Sequence, residues 1–477
     1  MDSMDWEGLQ MQHRFCAGLD LSSTFHCAYI PPHLVKAEQA NAPDGGRVVN
    51  FDSDQTGLEQ LARELIIYGV ERVVIESTGI YWFGVYRVLM RHHIEVCVVN
   101  PRHAKNIAGR KTDENDARWL CRLHAYGLLK ASFVASEECW ELRDLMRQRD
   151  HLIKDRSRYA LKITKELDQM NVKLHKVISD LTGKTGMAII RLIAQGVPPT
   201  DTDWGRFHHA KLKVSKADFV RSLQADFSQY GCFLLAQHLD SYDRIQQQID
   251  ALDEYAERIL FCQVEGVSSE DLDQQLQQQE HQGFIRPLRT KSGALRKSAA
   301  SKNTPLFDQA YYLQQIWGVD MTTLPGMETQ TLLNIFAELG TDLQDKFPSA
   351  AHFASWLQLS PNNKISAGKV IGKKRVTSVN RVHVLFRNCA YSLSGSKGYF
   401  GQFYRSIKMK KNGKTANKAL ACKLAKIFYV MLTTKQPFDP NRIPNSEQHQ
   451  LRQLKRLEKQ AKKLGFTLSK TDQSIAC

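Results

Sequence analysis

The segment GRKTDENDARWL, residues 109 to 120, sets Asp113, Glu114, Asn115 and Asp116 side by side just after two cations. Two readings fit this cluster. Acidic residues suit a helix N-terminus, where they meet the positive end of the dipole and where Thr112 or Asp113 can cap free N–H groups. Alternatively Asp113 and Asp116, three apart on one helical face, are oxygen donors to a divalent ion, with Glu114 as the substitute ligand. Two more carboxylates bear on the choice. Asp20 stands between Leu19 and Leu21, where an unpaired buried carboxylate would be costly. Glu76 closes the apolar run RVVIE. Each alone is an ordinary solvated strand end. Four carboxylates at one point repel unless divalent cations occupy the gap, and an all-oxygen donor set suits Mg²⁺. Two such ions can activate an attacking oxygen and stabilise a leaving one during phosphoryl transfer. The other chemistry-bearing group is Ser366 in KISAGK, a small bendable loop flanked by Lys364, Lys369, Lys373, Lys374 and Arg375. A serine there is commonly a turn residue, and as a nucleophile it needs a base, a metal or a local field. His383 is the nearest imidazole, suited to packing or to a DNA contact.

The elements that must position these groups follow from periodicity. RFCAGLDLS and FHCAYI predict two strands joined by a Ser/Thr turn, and RVVNF predicts a third after the NAPDGG loop. TGLEQLARELIIYG is an amphipathic helix with Leu58, Leu61, Leu65 and Ile66 on one side. ERVVIEST is a buried strand, GIYWFGVYRVLMRHH a helix, IEVCVVN a strand and TDENDARWLCRLHAYG a helix. This order, three strands and then alternating helix and strand, is that of a ribonuclease-H-like α/β fold. In that fold the first and fourth strands are central neighbours and the last helix crosses beside their ends. Asp20, Glu76, Asp113 and Asp116 then converge, which tips the reading toward metal binding.

GLDLSS, VVIESTGIYWFGVYRVL and VVNPRHAKNIAGRKTDENDARWL, over about residues 14 to 185, closely resemble the DEDD transposases of bacterial insertion sequences. That family is described as bridge-RNA-guided recombinases. The resemblance implies a RuvC-like domain whose metal site maps onto Asp20, Glu76, Asp113 and Asp116. The segment FPSAAHFASWLQLSPNNKISAGKVIGKKR resembles the same family's transposase signature, whose nucleophilic serine maps onto Ser366. Val379 stands where the family has glycine, in TSVNRVHVLFRNCA, while Asn380 and Arg387 are kept. The resemblance further implies DNA substrates, a structured guide RNA, Mg²⁺, a dimer to tetramer built through helices, and a bacterial cytoplasmic, nucleoid-associated location. A site-specific invertase of the same family and a metal-dependent junction resolvase or nuclease are the alternatives; the resolvase needs the acids but not Ser366.

Bulk properties agree with a nucleic-acid partner. The 477 residues carry 65 Lys and Arg against 50 Asp and Glu, a net charge of +15. No long apolar run predicts a membrane span, and MDSMDWEGLQMQH lacks the basic and apolar parts of a signal peptide. Ten cysteines never form a CxxC pair, so they read as reduced, packed thiols without a zinc site.

Five segments are expected. Residues 14–130 form the RuvC-like domain. Residues 136–263 form a helical coiled coil, from apolar spacing at Ser136–Met170 and about Phe219–Phe261, serving either self-association or an internal bundle. Its first helix is arginine-rich, a phosphate-contacting or a solvated face. Residues 264–308, with DQQLQQQEHQ and SGALRKSAASKNT, read as a flexible insertion. Residues 309–440 form a mostly α C-terminal transposase domain. In it TTLPGMETQTLLNIFAELG resembles a helix-hairpin-helix element, with Glu328 at the usual second glycine. Lys364, Lys369, Lys373, Lys374, Arg375 and Arg381 are its expected nucleic-acid contacts. Residues 441–477 form a basic amphipathic tail.

Overall fold

The computed structural model describes residues 10–77, 79–101, 113–135, 137–208, 214–279, 283–289, 295, 302–361, 363–367, 369–373, 379–440, 454 and 457–467. The chain divides into two compact units, Met1–Val134 and Ala135–Cys477.

In the first unit the expected order is observed: β1 (Cys16–Leu21), β2 (Phe25–Ile30), β3 (Arg47–Asp52), α1 (Gln55–Ile67), β4 (Arg72–Glu76), α2 (Trp82–Arg91), β5 (Glu95–Val99) and α3 (Asp113–Ala125). The sheet runs β3-β2-β1-β4-β5. The hairpin partners β2 and β3 are antiparallel, whereas β1, β4 and β5 are mutually parallel. β1 is central because both of its faces are apolar, and each face has its own cover. Ala17, Leu19 and Leu21 pack with Leu58, Leu61 and Leu65 of α1 and with Val85 and Leu89 of α2. Cys16 faces the other way, in a cluster with Cys27, Tyr29 and, from α3, Ala117 and Cys121. Asp54 starts α1 by accepting from the Gly57 N–H at 2.8 Å.

The second unit is built on a helical hairpin, α4 (Glu137–Gln169) and, after the shorter α5 (Lys184–Ala194), α6 (Gln229–Glu265). Arg149 meets Asp253 and Arg156 meets Gln246, so the two long helices are antiparallel. Of the two expected uses of these helices, the internal bundle is therefore seen within one chain. The second helix does not begin near Phe219. A short helix (Lys216–Ser222) ends first, and Ser228 caps a new start by accepting from the Gly231 N–H at 3.1 Å.

Several arginines of α4 are engaged within the unit, while Arg158 is exposed. Arg149 is buried against Asp253, with Nη2 to Oδ2 at 3.0 Å. Arg147 grips Glu338 with two bonds of 2.9 and 2.7 Å. Arg156 is buried and reaches Asn303 at 2.7 Å. Burial, then the like charge of Arg147, lowers the Arg143 guanidinium from its usual range. These side chains brace the unit.

The segment expected as a flexible insertion is partly ordered. α7 (Ser269–Gln278) is capped by Ser268 and buries Leu272. The Glu257 carboxylate accepts from the Ile285 and Arg286 N–H groups at 2.7 and 2.6 Å, and Phe307 is fully buried. An acceptor inside the bundle and one aromatic anchor hold a segment whose composition predicts none. Residues 280–282, 290–294 and 296–301 of it lie outside the described residues.

Then follow α8 (Gln309–Trp317), α9 (Thr329–Leu339), α10 (Ala350–Trp356), β6 (Asn363–Ser366), β7 (Lys369–Lys373), α11 (Arg381–Ser392), α12 (Tyr399–Lys410) and α13 (Gly413–Thr434). The expected hairpin turn before α9 is a packing element. Gly326 has φ +82°, and a Cβ there would stand 2.9 Å from the Leu393 side chain. At the centre of this helical layer Phe353 stacks on Phe428, and Phe386 meets both edge-on. In the tail, residues 457–463 are helical and almost wholly exposed, and 441–453 and 468–477 lie outside the described residues. Among the described residues no helix is long and apolar enough to cross a membrane.

The Arg149–Asp253 pair carries a testable consequence. Removing one partner leaves a buried charge, so Arg149→Met should destabilise the protein by about 3–5 kcal/mol. Arg149→Met with Asp253→Leu should recover most of that loss. Urea unfolding of the three proteins checks it; equal stability of the single variant and wild type would show that the pair does not brace the hairpin.

Candidate functional site

Register sets two of the first-unit acids side by side. β1 and β4 pair Gly18 with Val74 and Leu19 with Ile75, and one further step of that register sets Asp20 beside Glu76. Parallel neighbours point the same way, and Gly18 and Asp20 share a face two residues apart. That face carries α3. A Cβ on Gly18 would collide with the Ala117 carbonyl and lie 2.7 Å from the Cys121 nitrogen, so the helix rests on bare strand backbone. Two residues back, the Cys16 and Cys121 sulfurs are 3.9 Å apart. Strand and helix thus match in steps of two and four residues, Cys16 with Cys121 and Gly18 with Ala117, and a further step of each leads toward Asp20 and Asp113. The step lengths agree, about 6.6 Å for two strand residues and about 6 Å for four helical ones.

Three acidic side chains also bear on one thiol. Cys27 is paired with Asp20 across the antiparallel ladder. Its thiol is pushed up to about 12, first by burial and then by the negative charges of Glu114, Asp20 and Asp113. Asp113 and Glu114 are exposed and Asp116 is half-buried, all in the first turn of α3. The donor chemistry therefore fits a hard cation. The side chains are not drawn into a cage: among the described residues, no three His, Cys, Asp or Glu side chains are grouped to hold an ion.

One positioning residue escaped the sequence reading. Asp44, in the loop before β3, accepts from the Tyr29 hydroxyl at 2.7 Å and from Arg122 at 2.9 Å, with Arg118 at 3.5 Å. Burial raises its carboxyl, but Tyr29, Arg118, the Gly46 N–H and Arg122 together hold it below the usual range. Arg118 and Arg122, four apart, thus latch α3 to the sheet edge. The usable signal was that i, i+4 arginine pair just after the acidic turn.

In the second unit Ser366 is exposed at the end of β6, opposite Lys369 in a β6–β7 hairpin that the sequence reading had as a loop. Ala367 opens the turn at φ +45°, a region unfavourable for a side chain with a Cβ. Local strain thus presents the serine at a hairpin tip. The side chains of Lys364, Lys369 and Lys373, and residues Lys374 and Arg375, lie outside what the structure describes. Arg381 is engaged internally, with Asp150 and, at 3.6 Å, Glu338. His383 is buried and bonded through Nδ1 to the Leu357 carbonyl at 2.7 Å; burial lowers its pKa. It packs. Asn380 caps α11 by accepting from the His383 N–H at 2.7 Å.

Residues 17–172 match a family model for DEDD transposases of the IS110 type, described as "Transposase". Residues 320–405 match one described as "Transposase IS116/IS110/IS902 family". Comparison with curated proteins returns no match. The two matched regions contain, respectively, the four acids and Ser366. They support DNA transposition, by an enzyme that cuts and rejoins DNA, as the activity class.

The seat of α3 includes a buried histidine. His124, buried near its end and stacked on His13 at 4.6 Å, is lowered from 6.5 to about 4 by burial, then by His13 and Arg72. A histidine lowered on folding binds its proton more readily in the unfolded chain. Its contribution is present above pH 6.5 and is lost as pH falls toward 4. Urea midpoints should therefore fall between pH 7 and 5, and less steeply in His124→Gln. An identical pH slope in the two proteins would contradict this.

Proposed function

We propose that the protein is a DNA recombinase of the transposase class that cuts and rejoins strands through a phosphoserine ester at Ser366. Two features support the proposal together: a register that sets Asp20 beside Glu76 on the face where a helix with an acidic first turn packs, and a strained hairpin that exposes one serine. In this reading the first unit is RuvC-like and its Asp20, Glu76, Asp113 and Asp116 hold Mg²⁺. Bound there, divalent cations would supply counter-charge for the phosphoryl oxygens.

Ser366 Oγ loses its proton and attacks phosphorus. The bond from phosphorus to the sugar oxygen breaks, and that oxygen leaves as a hydroxyl after taking up a proton. The ester keeps the energy of the broken bond, so reversal by another strand's hydroxyl rejoins DNA without ATP. The chain has no GxxxxGK[ST] motif, which agrees with this economy. The acids and Ser366 must act on one phosphate, whether from one chain or from two. Guidance by a structured RNA, and assembly as a dimer to tetramer, belong to the same reading through the family resemblance. A plain metal-dependent nuclease would activate water and leave Ser366 idle.

Incubating the protein with labelled DNA and Mg²⁺ and then denaturing it tests the proposal. A protein–DNA adduct removable by proteinase is expected in wild type and absent in Ser366→Ala. An adduct that persists in Ser366→Ala, or efficient cleavage without any adduct, would overturn the mechanism.

A further inference from the structure

From Phe347 to Phe438 the chain has 17 Lys and Arg and no Asp or Glu, more positive charge than the +15 of the whole protein. A run like this cannot balance itself. Each cation must find a carboxylate elsewhere, a neutral acceptor, water, or a partner's anion.

Several are settled internally. Arg381 pairs with Asp150 and Glu338. Arg387 donates to Asn417 at 2.9 Å, Arg405 to the Ser396 carbonyl at 2.8 Å, and Lys435 to the Trp317 carbonyl at 2.9 Å. Lys423 lies over the Tyr399 and Phe403 rings at 4.4 and 4.9 Å. A dense group of the remainder sits at one place. Lys408 and Lys410 end α12, Lys411 is in the link, and Lys414 is in the first turn of α13. All four are exposed, and among the described residues none pairs with a carboxylate.

Helix electrostatics explain only half of this group. Lys408 and Lys410 complement the negative end of α12. Lys411 and Lys414 stand at the positive end of α13, whose first turn has no acid. A cation there works against the dipole, an arrangement that an anion lying over it would reverse. Lysines are point charges without the planar fork of arginine, so they suit phosphates better than base edges.

We propose that the α12–α13 link is a clamp for the backbone of duplex DNA, with Lys408, Lys410, Lys411 and Lys414 contacting phosphates. The clamp rests on the transposase reading above. DNA is favoured because the same acid-free run holds Ser366, so a duplex offering a phosphate to that serine meets the run's field. The four lysines position the duplex and do not read its sequence.

The test is fluorescence anisotropy of labelled duplex DNA of mixed sequence across a salt series. Replacing all four lysines with Gln should flatten the slope of log affinity against log salt by about 3–4, since each phosphate contact contributes about 0.9. Lys414→Gln alone should flatten it by about 1, and removing a cation from that first turn does not disfavour the helix. A control with four other exposed lysines replaced, Lys36, Lys154, Lys165 and Lys184, should keep the wild-type slope. An unchanged slope in the clamp variant, or an equal change in the control, overturns the clamp. So does a variant that loses affinity for an RNA hairpin while keeping its DNA slope. At saturating DNA the clamp variant should still form the Ser366 adduct, which separates failure of the clamp from failure of the serine chemistry.

Discussion

The contact between α3 and the bare backbone of Gly18 sets the geometry of the first unit's candidate site. With no Cβ at that position, a helix carbonyl can sit against the strand, and the sulfurs of Cys16 and Cys121 fill the next layer. Everything on this face is counted from that contact. Asp20 is two residues along the strand, Asp113 four residues back along the helix, and Glu76 the next step of the β1–β4 register. Asp44 then fixes rotation and tilt by holding Arg118 and Arg122. Negative charge is gathered by close packing elsewhere on the same elements, so the repulsion is opposed by contacts outside the site.

The second unit treats charge in the opposite way. Three of its α4 arginines are engaged internally, Arg149 and Arg147 by the carboxylates of Asp253 and Glu338 and Arg156 by the Asn303 amide, and they set the pairing of helices far apart in sequence. A buried pair of this kind adds little net stability, but loss of one member is severe, which makes it a device for register. The acid-free run that follows has few such partners within reach. Positive charge is therefore withdrawn from one surface and left standing on another, which is what an enzyme acting on a polyanion requires.

Much of the first unit was legible in the sequence, because strand alternation and helix period are local signals. The element order came from such signals, and with it the assignment of Asp20 and Glu76 to strands and of Asp113 and Asp116 to the start of a helix. What was not legible depended on partners distant in the chain. The arginines of α4 look like a solvated or phosphate-binding face until Asp253 and Glu338, about 100 and 190 residues away, are brought to them. The 264–308 segment looks structureless because its anchor, Glu257, belongs to the preceding helix. Asp44 looks like a turn residue for the same reason. Ser366 was singled out as the family's nucleophile, but its hairpin was not foreseen, since NKIS and KVIGK carry no clear alternation of apolar and polar residues.

The central claim, that the α3–β1 register builds a carboxylate site for a divalent cation, is tested most directly by Mn²⁺ binding followed by electron paramagnetic resonance, with no DNA present. Wild type should bind Mn²⁺ competitively with Mg²⁺, and Asp20→Asn and Asp116→Asn should each weaken binding at least tenfold without changing the circular dichroism. Equal Mn²⁺ affinity in wild type and both variants would contradict the account and return the acidic turn of α3 to a helix cap.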